Sequence, residues 1–212
     1  MPPEPLKKRA LAFVDGQNLF YAVKEAFGYK FPNYDPLALA SKVCQQRGWT
    51  LEATHFYTGA PDLQDDPFWH YFWNKKLASM GKRGIRVFRR SLRYRNQTIV
   101  LPDVTITSVL VGQEKGIDIR IALDMVRMAH QKSYDAAVLF SQDQDLTEAV
   151  EEVKIIAKEQ NRWIRVATAF PISPTSRNRR GVDKTDWISI DRATYDACLD
   201  PNDYRAEKKD RK

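Results

Sequence analysis

Short apolar runs alternate with amphipathic runs along most of this chain, and this alternation limits the possible folds more than any other feature of the sequence. "ALAFVD", ending at Asp15, is typical of a buried strand, and "NLFYAVKEAFG", closed by Gly28, is typical of an amphipathic helix. "YDAAVLFS" and "LTEAVEEVKIIAKEQ" repeat the pair, and "RWIRVATA" predicts a further strand. Strands that alternate with helices usually pair in parallel and are covered on both faces. The sequence therefore predicts an α/β fold with a mainly parallel, Rossmann-like sheet.

Two segments depart from this alternation. The β-branched segments "TIV" and "VTITSVLV", separated by Leu101, Pro102 and Asp103, predict a β-hairpin inserted between Arg93 and Gly112. "EKGIDIRIALDMVRMAHQ" is ambiguous, because its isoleucines alternate as in a strand while its later apolar residues keep helical spacing. The length of this segment and its strong helix formers favour a helix.

Length and composition favour one domain. A chain of 212 residues with 43% hydrophobic content can bury one sizeable core. We expect a flexible N-terminus over 1–9, the domain over 10–199 and a charged flexible tail over 200–212. The apolar run that ends at Asp15 is too short for a signal peptide, and no run approaches the roughly 18 residues of a membrane span. The lack of such a run predicts that the protein has no membrane partner. The two cysteines are far apart, which favours reduced thiols in a cytoplasmic protein.

The charge balance favours a polyanionic partner, since the formal net charge is +7 and the pI is near 9.4. "GKRGIRVFRRSLRYR" contains no acidic residue, and its Phe88 and Tyr94 favour nucleic-acid binding, since single strands are held by phosphate contacts and base stacking. Strand alternation places only part of this run on one face. "SPTSRNRRGVDK" predicts a second basic segment in an exposed loop. A solvated basic face and a mobile surface loop are the alternatives.

The aromatic and histidine residues point less clearly to function. Helical spacing in "PFWHYFW" favours the core or a dimer surface over a base-stacking platform, so a homodimer is a further hypothesis. His55, His70 and His130 have no partner of the Ser/His/Asp type visible from the sequence, and we interpret them as structural or surface residues.

Acidic residues lie where the strands of the predicted sheet should end. Asp15 ends the first strand, Asp143 and Asp145 follow a later one, and Asp118 lies in the first turn of a helix after Gly116. Ligands of parallel sheets bind at the carboxyl ends of strands, near the point where strand order reverses. Converging carboxylates must be protonated, dispersed or neutralised by a cation. An oxygen-only donor set favours Mg²⁺ or Mn²⁺ over zinc.

A structural interpretation of the same acids is helix capping, because each lies at a junction where a cap is useful. Four caps at one predicted edge are less expected than one. Asn18 offers a neutral oxygen or a group that positions water. Asp124 lies deeper in its helix, and we interpret it as a solvated or salt-bridged residue.

"FVDGQNL", "EKGIDIRIALDM" and "VLFSQDQDL" resemble the three motifs of the NYN domain, a branch of the PIN-like ribonucleases. The resemblance covers about Leu11–Val166 and extends toward Ile190. It implies a Rossmann-like fold whose acids bind Mg²⁺ or Mn²⁺ for hydrolysis of RNA. The metal role falls on Asp15, Asp118 and Asp143, with Asp145 as a supporting acid and Asn18 as a polar residue of the active site; Lys115 and Gly116 match the Lys-Gly approach to the second motif.

The third motif departs from the family pattern at two positions. Gln142 replaces a common glycine, and Leu146 replaces an aromatic residue. Leu146 still supplies an apolar anchor. A bulky side chain at Gln142 is expected to narrow the site or to alter substrate choice.

These observations lead to one hypothesis and two alternatives. We predict a metal-dependent, endonucleolytic ribonuclease that acts on single-stranded or structured RNA. A non-catalytic RNA-binding or scaffolding module on the same fold is the main alternative. "DQDLT" also fits the motif of haloacid-dehalogenase-like phosphatases, but that motif usually follows the first strand. The residues expected to contact RNA are Arg86, Arg89, Arg90, Arg93, Lys115, Arg177, Arg179 and Arg180.

Overall fold

A six-stranded parallel sheet forms the centre of the molecule, as the computed structural model of residues 2–100 and 106–205 shows. Every neighbouring pair of strands in this sheet is parallel. The prediction of a parallel α/β fold is confirmed. In spatial order the strands are β3 (Arg86–Ser91), β2 (Thr50–Ala60), β1 (Arg9–Asp15), β6 (Ala136–Phe140), β7 (Arg165–Pro171) and β8 (Asp186–Ile190).

Helices cover both faces of this sheet. Alternate residues of β1 enter different core clusters: Ala12 and Val14 pack toward α1, α2 and α3, whereas Leu11 and Phe13 pack toward α4 and α5. The two layers follow from this alternation. The helices are α1 (Gly16–Phe27), α2 (Pro36–Gln46), α3 (Pro67–Lys82), α4 (Ile117–His130), α5 (Thr147–Glu159) and α6 (Arg192–Asp196).

The predicted hairpin is present between β3 and α4. Strand β4 (Arg93–Val100) pairs antiparallel with β5 (Ile106–Gln113), and the two form a separate two-stranded sheet. The residues predicted to separate them, 101–103, lie outside the described part of the chain. The basic run is divided at Leu92, whose amide donates to Ala60 O at 3.2 Å and joins the hairpin base to the end of β2. The ambiguous segment after the hairpin is helix α4.

The aromatic segment of α3 contributes mainly to the core. Phe72 and Trp73 are buried, whereas Phe68 and Tyr71 are exposed. Both cysteines are buried as free thiols. Among residues 2–100 and 106–205, no helix combines the length and the apolar character required to cross a membrane.

Packed structure continues past residue 199, where the sequence interpretation ended the domain. Asp200 lies 3.2 Å from the ammonium group of Lys76, and the side chains of both residues are buried. Lys76 also donates to Tyr34 O at 2.9 Å, and Tyr204 packs on Phe72. A buried lysine needs an anionic partner, and residue 200 supplies it. At the N-terminal end of the domain, β1 begins at Arg9, whose guanidinium forms a salt bridge with Asp135.

Candidate active site

The strand order reverses between β1 and β6. The chain proceeds from β1 to β2 and β3 on one side, and from β6 to β7 and β8 on the other. Asp15 is the last residue of β1, and Ser141 immediately follows β6. Ser141 Oγ donates to Asp15 Oδ2 at 3.4 Å. Crevices at such reversal points are where parallel sheets bind ligands.

A cavity of about 370 Å³ opens at this edge, and we call it the acidic cavity. It brings together Asp15, Asp118 and Asp143, as well as Asn18 and Lys115, from distant parts of the chain. Asp145 is exposed and is not among the lining residues. The described residues that line the acidic cavity are Asp15, Gln17, Asn18, Tyr21, Glu114, Lys115, Gly116, Ile117, Asp118 and Asp143.

Asp15 is held in a poorly solvated position. Its side chain accepts a hydrogen bond from the Asn18 amide at 3.0 Å, and the residue is only 7% exposed. Burial, together with the nearby carboxylate of Asp143, raises the pKa of Asp15 to about 6. Negative charge is therefore costly here unless a cation offsets it.

Glu114 also lines the acidic cavity, and the sequence interpretation did not include it. Its Oε1 accepts from the Gly59 amide at 2.9 Å, whereas Oε2 is buried and has no hydrogen-bond partner among the described residues. Burial raises the pKa of Glu114 to about 8, with added repulsion from Asp15 and Asp118. The only sequence signal was its position two residues before Gly116, inside the second motif.

Helix capping explains part of the acidic pattern. Asp15 caps α1, and Asp143 Oδ1 accepts from the Asp145 amide at 3.0 Å at the start of a 3-10 turn over Gln144–Leu146. Asp118 makes no such cap, because α4 begins after Gly116 without a side-chain cap. Asp15 and Asp143 thus each cap a helical segment and also line the acidic cavity.

Asp124 is structural, as expected from its depth in α4. Its carboxylate accepts from Arg120 at 2.9 Å, from Arg127 at 2.7 Å and from the Tyr57 hydroxyl at 3.1 Å. This network lies away from the acidic cavity, so Asp124 has no place in the candidate site.

Gln142 does not narrow the acidic cavity. Its side-chain amide donates to Arg180 O at 2.8 Å and to Asn178 O at 3.4 Å, so the side chain lies against that loop. Its backbone amide donates to Asn18 Oδ1 at 2.9 Å. The φ angle of Gln142 is not positive, so the backbone here does not require glycine. The expected obstruction is absent, and Asn18 joins the loops after β1 and β6.

The basic residues of β3 face different directions. Arg90 Nη1 donates to Lys115 O at 3.3 Å, which places this guanidinium beside the acidic cavity. Arg89 donates to Asn74 and Pro61 O on the α3 side. Arg86 lies at the start of β3, in a pocket shared with Asp124. Arg93 is exposed at the start of β4. Of the three β3 arginines, Arg90 is the one next to the acids.

Hydrogen bonds hold the second basic segment against the rest of the protein, and further contacts lie within the segment. The Arg177 amide donates to Glu25, and Arg179 donates to Ser176 O at 3.1 Å. Arg180 pairs with Asp183 at 2.9 Å. Gln144 donates to Gly181 O at 3.0 Å. This loop is therefore anchored beside the third motif.

The donor set of the acidic cavity fits a hard divalent cation. All its candidate ligands are oxygens, and the unpartnered Oε2 of Glu114 offers one more. Within the described ranges, no three His, Cys, Asp or Glu side chains lie close enough to hold a metal ion jointly. Mg²⁺ commonly binds through one or two carboxylates and keeps several waters, so such spacing is compatible with it.

The fold and this edge define a doubly wound α/β protein with an acidic cavity at the reversal point. A family model described as the NYN domain matches residues 9–161. The chain belongs to the NYN domain family, whose members are generally nucleases or RNA-binding proteins.

One curated relative and one solved structure show the range of similarity. The chain is 30% identical over 186 residues to the low amplitude and bright protein LabA of Synechococcus elongatus, a match that covers 86% of this chain and 87% of that protein. A crystal structure of Acinetobacter baumannii MurG aligns with a TM-score of 0.33 and 10% identity, over 86% of this chain and 45% of that one. The second likeness is too weak to indicate function.

Proposed function

We propose that this protein is a metal-dependent ribonuclease that hydrolyses RNA phosphodiester bonds at the acidic cavity. The observation that carries the proposal is the convergence of Asp15, Glu114, Asp118 and Asp143 on one cavity where the strand order reverses. Activity on RNA at the level of the family supports it. Lys115 and Arg90 supply positive charge beside the acids, where a phosphate would approach.

One or two of the four lining carboxylates would hold Mg²⁺ or Mn²⁺, and waters would complete its coordination. Such a cation, when bound, lowers the pKa of water and offsets charge on the phosphoryl group. Ser141 and Asn18 fix the positions of Asp15 and of the loop after β6. Asp145 acts through its backbone, since its amide orients the carboxylate of Asp143.

RNA binding without cleavage is the second candidate. The spacing of the carboxylates favours it, because no three of them are close enough to hold a metal together in the described residues. Under this alternative the basic residues bind phosphate, and Asp15 and Asp143 serve as caps. Binding would then survive neutralisation of the acids and weaken mainly with salt.

Cleavage of labelled RNA separates the two functions. The wild-type protein and Asp143→Asn are incubated with linear and circular single-stranded RNA, with Mg²⁺, with Mn²⁺ and with chelator. We expect metal-dependent products from the wild type and a roughly 10- to 100-fold slower reaction from Asp143→Asn, in line with the loss of a group that binds or orients the metal. Cutting of the circular RNA would identify endonucleolytic attack.

Glu159→Gln is the matched control, because Glu159 is an exposed carboxylate at the end of α5, on the opposite edge of the sheet. It should cleave like the wild type. Equal cleavage by Asp143→Asn would contradict the proposed site. Intact RNA binding with no cleavage by the wild type would establish the second candidate.

A further inference from the structure

A larger cavity adjoins the acidic cavity and has different walls. It measures about 430 Å³ and lies between α1, the start of α3 and the base of the hairpin. Gln17 and Tyr21 line both cavities, so the two share a wall. Five aromatic side chains line the larger one, which we call the aromatic cavity: Phe20, Tyr21, Trp69, Trp73 and Tyr94.

Contacts within the protein fix the rings of the aromatic cavity at different depths. Trp73 is buried against Phe56, whereas Tyr21 is 55% exposed. Tyr94 lies across Gly112 of the facing strand, where a Cβ atom would come within 3.0 Å of its ring. Leu110 on the same strand is 59% exposed at the cavity. Tyr21 and Leu110 thus supply apolar surface that the fold leaves exposed at the aromatic cavity, whereas Trp73 is buried.

The charge of the aromatic cavity is opposite to that of a phosphate site. Asp65 and Asp66 line it, and no lysine or arginine does among the described residues. Asp66 is fixed by the Trp69 amide, which donates to its Oδ1 at 3.1 Å. Carboxylates repel phosphate but accept N–H donors from the edge of a base. The volume falls within the range of pockets for small organic ligands.

We propose that the aromatic cavity receives one unstacked nucleobase of an RNA strand whose neighbouring phosphate lies at the acidic cavity. The proposal rests on the proposed function for the identity of the strand. Flat aromatic walls stack on a base, and the adjoining acidic cavity with Lys115 and Arg90 takes the charged backbone. The shared wall of Gln17 and Tyr21 places the bound base within one or two nucleotides of the cleaved bond.

A double-mutant cycle between protein and RNA tests this assignment. Binding of a fluorescently labelled RNA is measured by anisotropy in chelator, where metal-dependent cleavage is absent. A set of oligonucleotides carries a single abasic nucleotide at successive positions. Tyr94→Ala should weaken binding of the intact RNA by between 5-fold and 100-fold, roughly the range that stacking on one aromatic ring gives. One abasic position should cause a comparable loss in the wild type and little further loss in Tyr94→Ala.

Tyr71→Ala is the matched control, since Tyr71 is an exposed aromatic residue of α3 that does not line the aromatic cavity. Tyr71→Ala should leave the affinity for the intact RNA and the affinities for the abasic RNAs unchanged. Tyr94→Phe should bind as tightly as the wild type, because the ring rather than the hydroxyl stacks on the base. A misfolded Tyr94→Ala would lose affinity for every RNA without the specific coupling to one abasic position. Additive effects of Tyr94→Ala and every abasic position would overturn the proposal, as would a wild type that binds no RNA.

The outcomes separate this proposal from the nuclease proposal. If cleavage depends on Asp143 but no abasic position changes the affinity for RNA, the base site is refuted and the nuclease proposal stands. If the effects of Tyr94→Ala and of one abasic position are coupled but no metal-dependent cleavage occurs, the base site belongs to an RNA-binding protein and the nuclease proposal is refuted. When both hold, the sensitive abasic position should lie next to the bond that the wild type cuts with Mn²⁺.

Discussion

At the scale of single residues, Glu114 has a carboxylate with two different environments. One oxygen accepts the Gly59 amide, and the other is buried without a hydrogen-bond partner among the described residues. Burial and neighbouring acids raise the pKa of Glu114 to about 8, so without a cation this group is mostly protonated at neutral pH. A bound cation would reverse that preference, because it favours the charged form.

Glu114→Gln should change how stability depends on pH. The folded pKa of about 8 lies above the ordinary 4.5, so the contribution of Glu114 is fully present below pH 4.5 and is lost as pH rises through 8. Glutamine does not titrate and can still accept the Gly59 amide. We expect the variant to match the wild type at pH 4 and to exceed it by roughly 1–3 kcal/mol at pH 9.

Urea unfolding in the presence of chelator, at both pH values, measures this difference. Glu159→Gln should follow the wild-type pH profile. If Glu114→Gln and the wild type gave parallel profiles, Glu114 would be ionised in the folded state already, contrary to its burial.

At the scale of elements, the loop over 172–185 depends on two glutamines of the third motif. Gln142 donates to the carbonyls of Asn178 and Arg180, and Gln144 donates to Gly181 O while accepting from the Asp183 amide. The basic segment is therefore positioned by residues beside Asp143. A glycine at residue 142 would preserve the backbone and lose this anchor.

Gln142→Gly should loosen that loop without unfolding the domain. The two side-chain hydrogen bonds contribute about 1 kcal/mol each, and their loss should raise local opening several-fold. Limited trypsin digestion measures this opening, because Arg177, Arg179 and Arg180 lie in the loop. Gln131→Ala, an exposed glutamine at the end of α4, should digest like the wild type. Unchanged cutting in Gln142→Gly would show that the loop is held by other contacts.

The segment after α6 is a second element that depends on distant residues. Asp200 offsets the buried charge of Lys76 and accepts from the Tyr204 hydroxyl at 3.0 Å. Asp200→Ala should lower the free energy of unfolding by about 3–5 kcal/mol, since it leaves an uncompensated buried charge. Thermal unfolding checks this, with Asp203→Asn as the control. Asp203 pairs with Arg205 in an exposed position, so its loss should have no measurable effect.

At the scale of the whole molecule, the net charge of +7 is expected to act through a few phosphate contacts. Arg90 lies beside the acidic cavity. Arg165 is exposed at the start of β7, at the end of the sheet where the parallel strands begin, away from the acidic cavity. Arg90→Ala should lower the slope of log affinity against log salt by about 0.7, the value for one phosphate contact of a single strand. Arg165→Ala should leave the slope unchanged. Equal slopes for both variants would place the phosphates elsewhere.

The parallel sheet and the hairpin could be predicted from the sequence, because they depend on local periodicity and on turn residues. The ends of the strands predicted a convergence of four aspartates, of which Asp15, Asp118 and Asp143 line the acidic cavity and Asp145 does not. Glu114 was missed because its place depends on the hairpin base packing against Gly59, 55 residues away. Asp200 was assigned to a tail because its partner, Lys76, is 124 residues away. Such long-range pairs leave no periodic trace in a single sequence.

The hairpin forms its own two-stranded sheet, yet Tyr94, Leu110 and Gly112 supply one wall of the aromatic cavity. The carboxylates at the reversal point are carried mostly by the central sheet and its helices. Under the two proposals above, the hairpin would influence which RNA is bound, while the central sheet and its helices would carry most of the residues that cut it. A change of hairpin sequence would then alter the RNA preference and leave the acidic cavity unchanged.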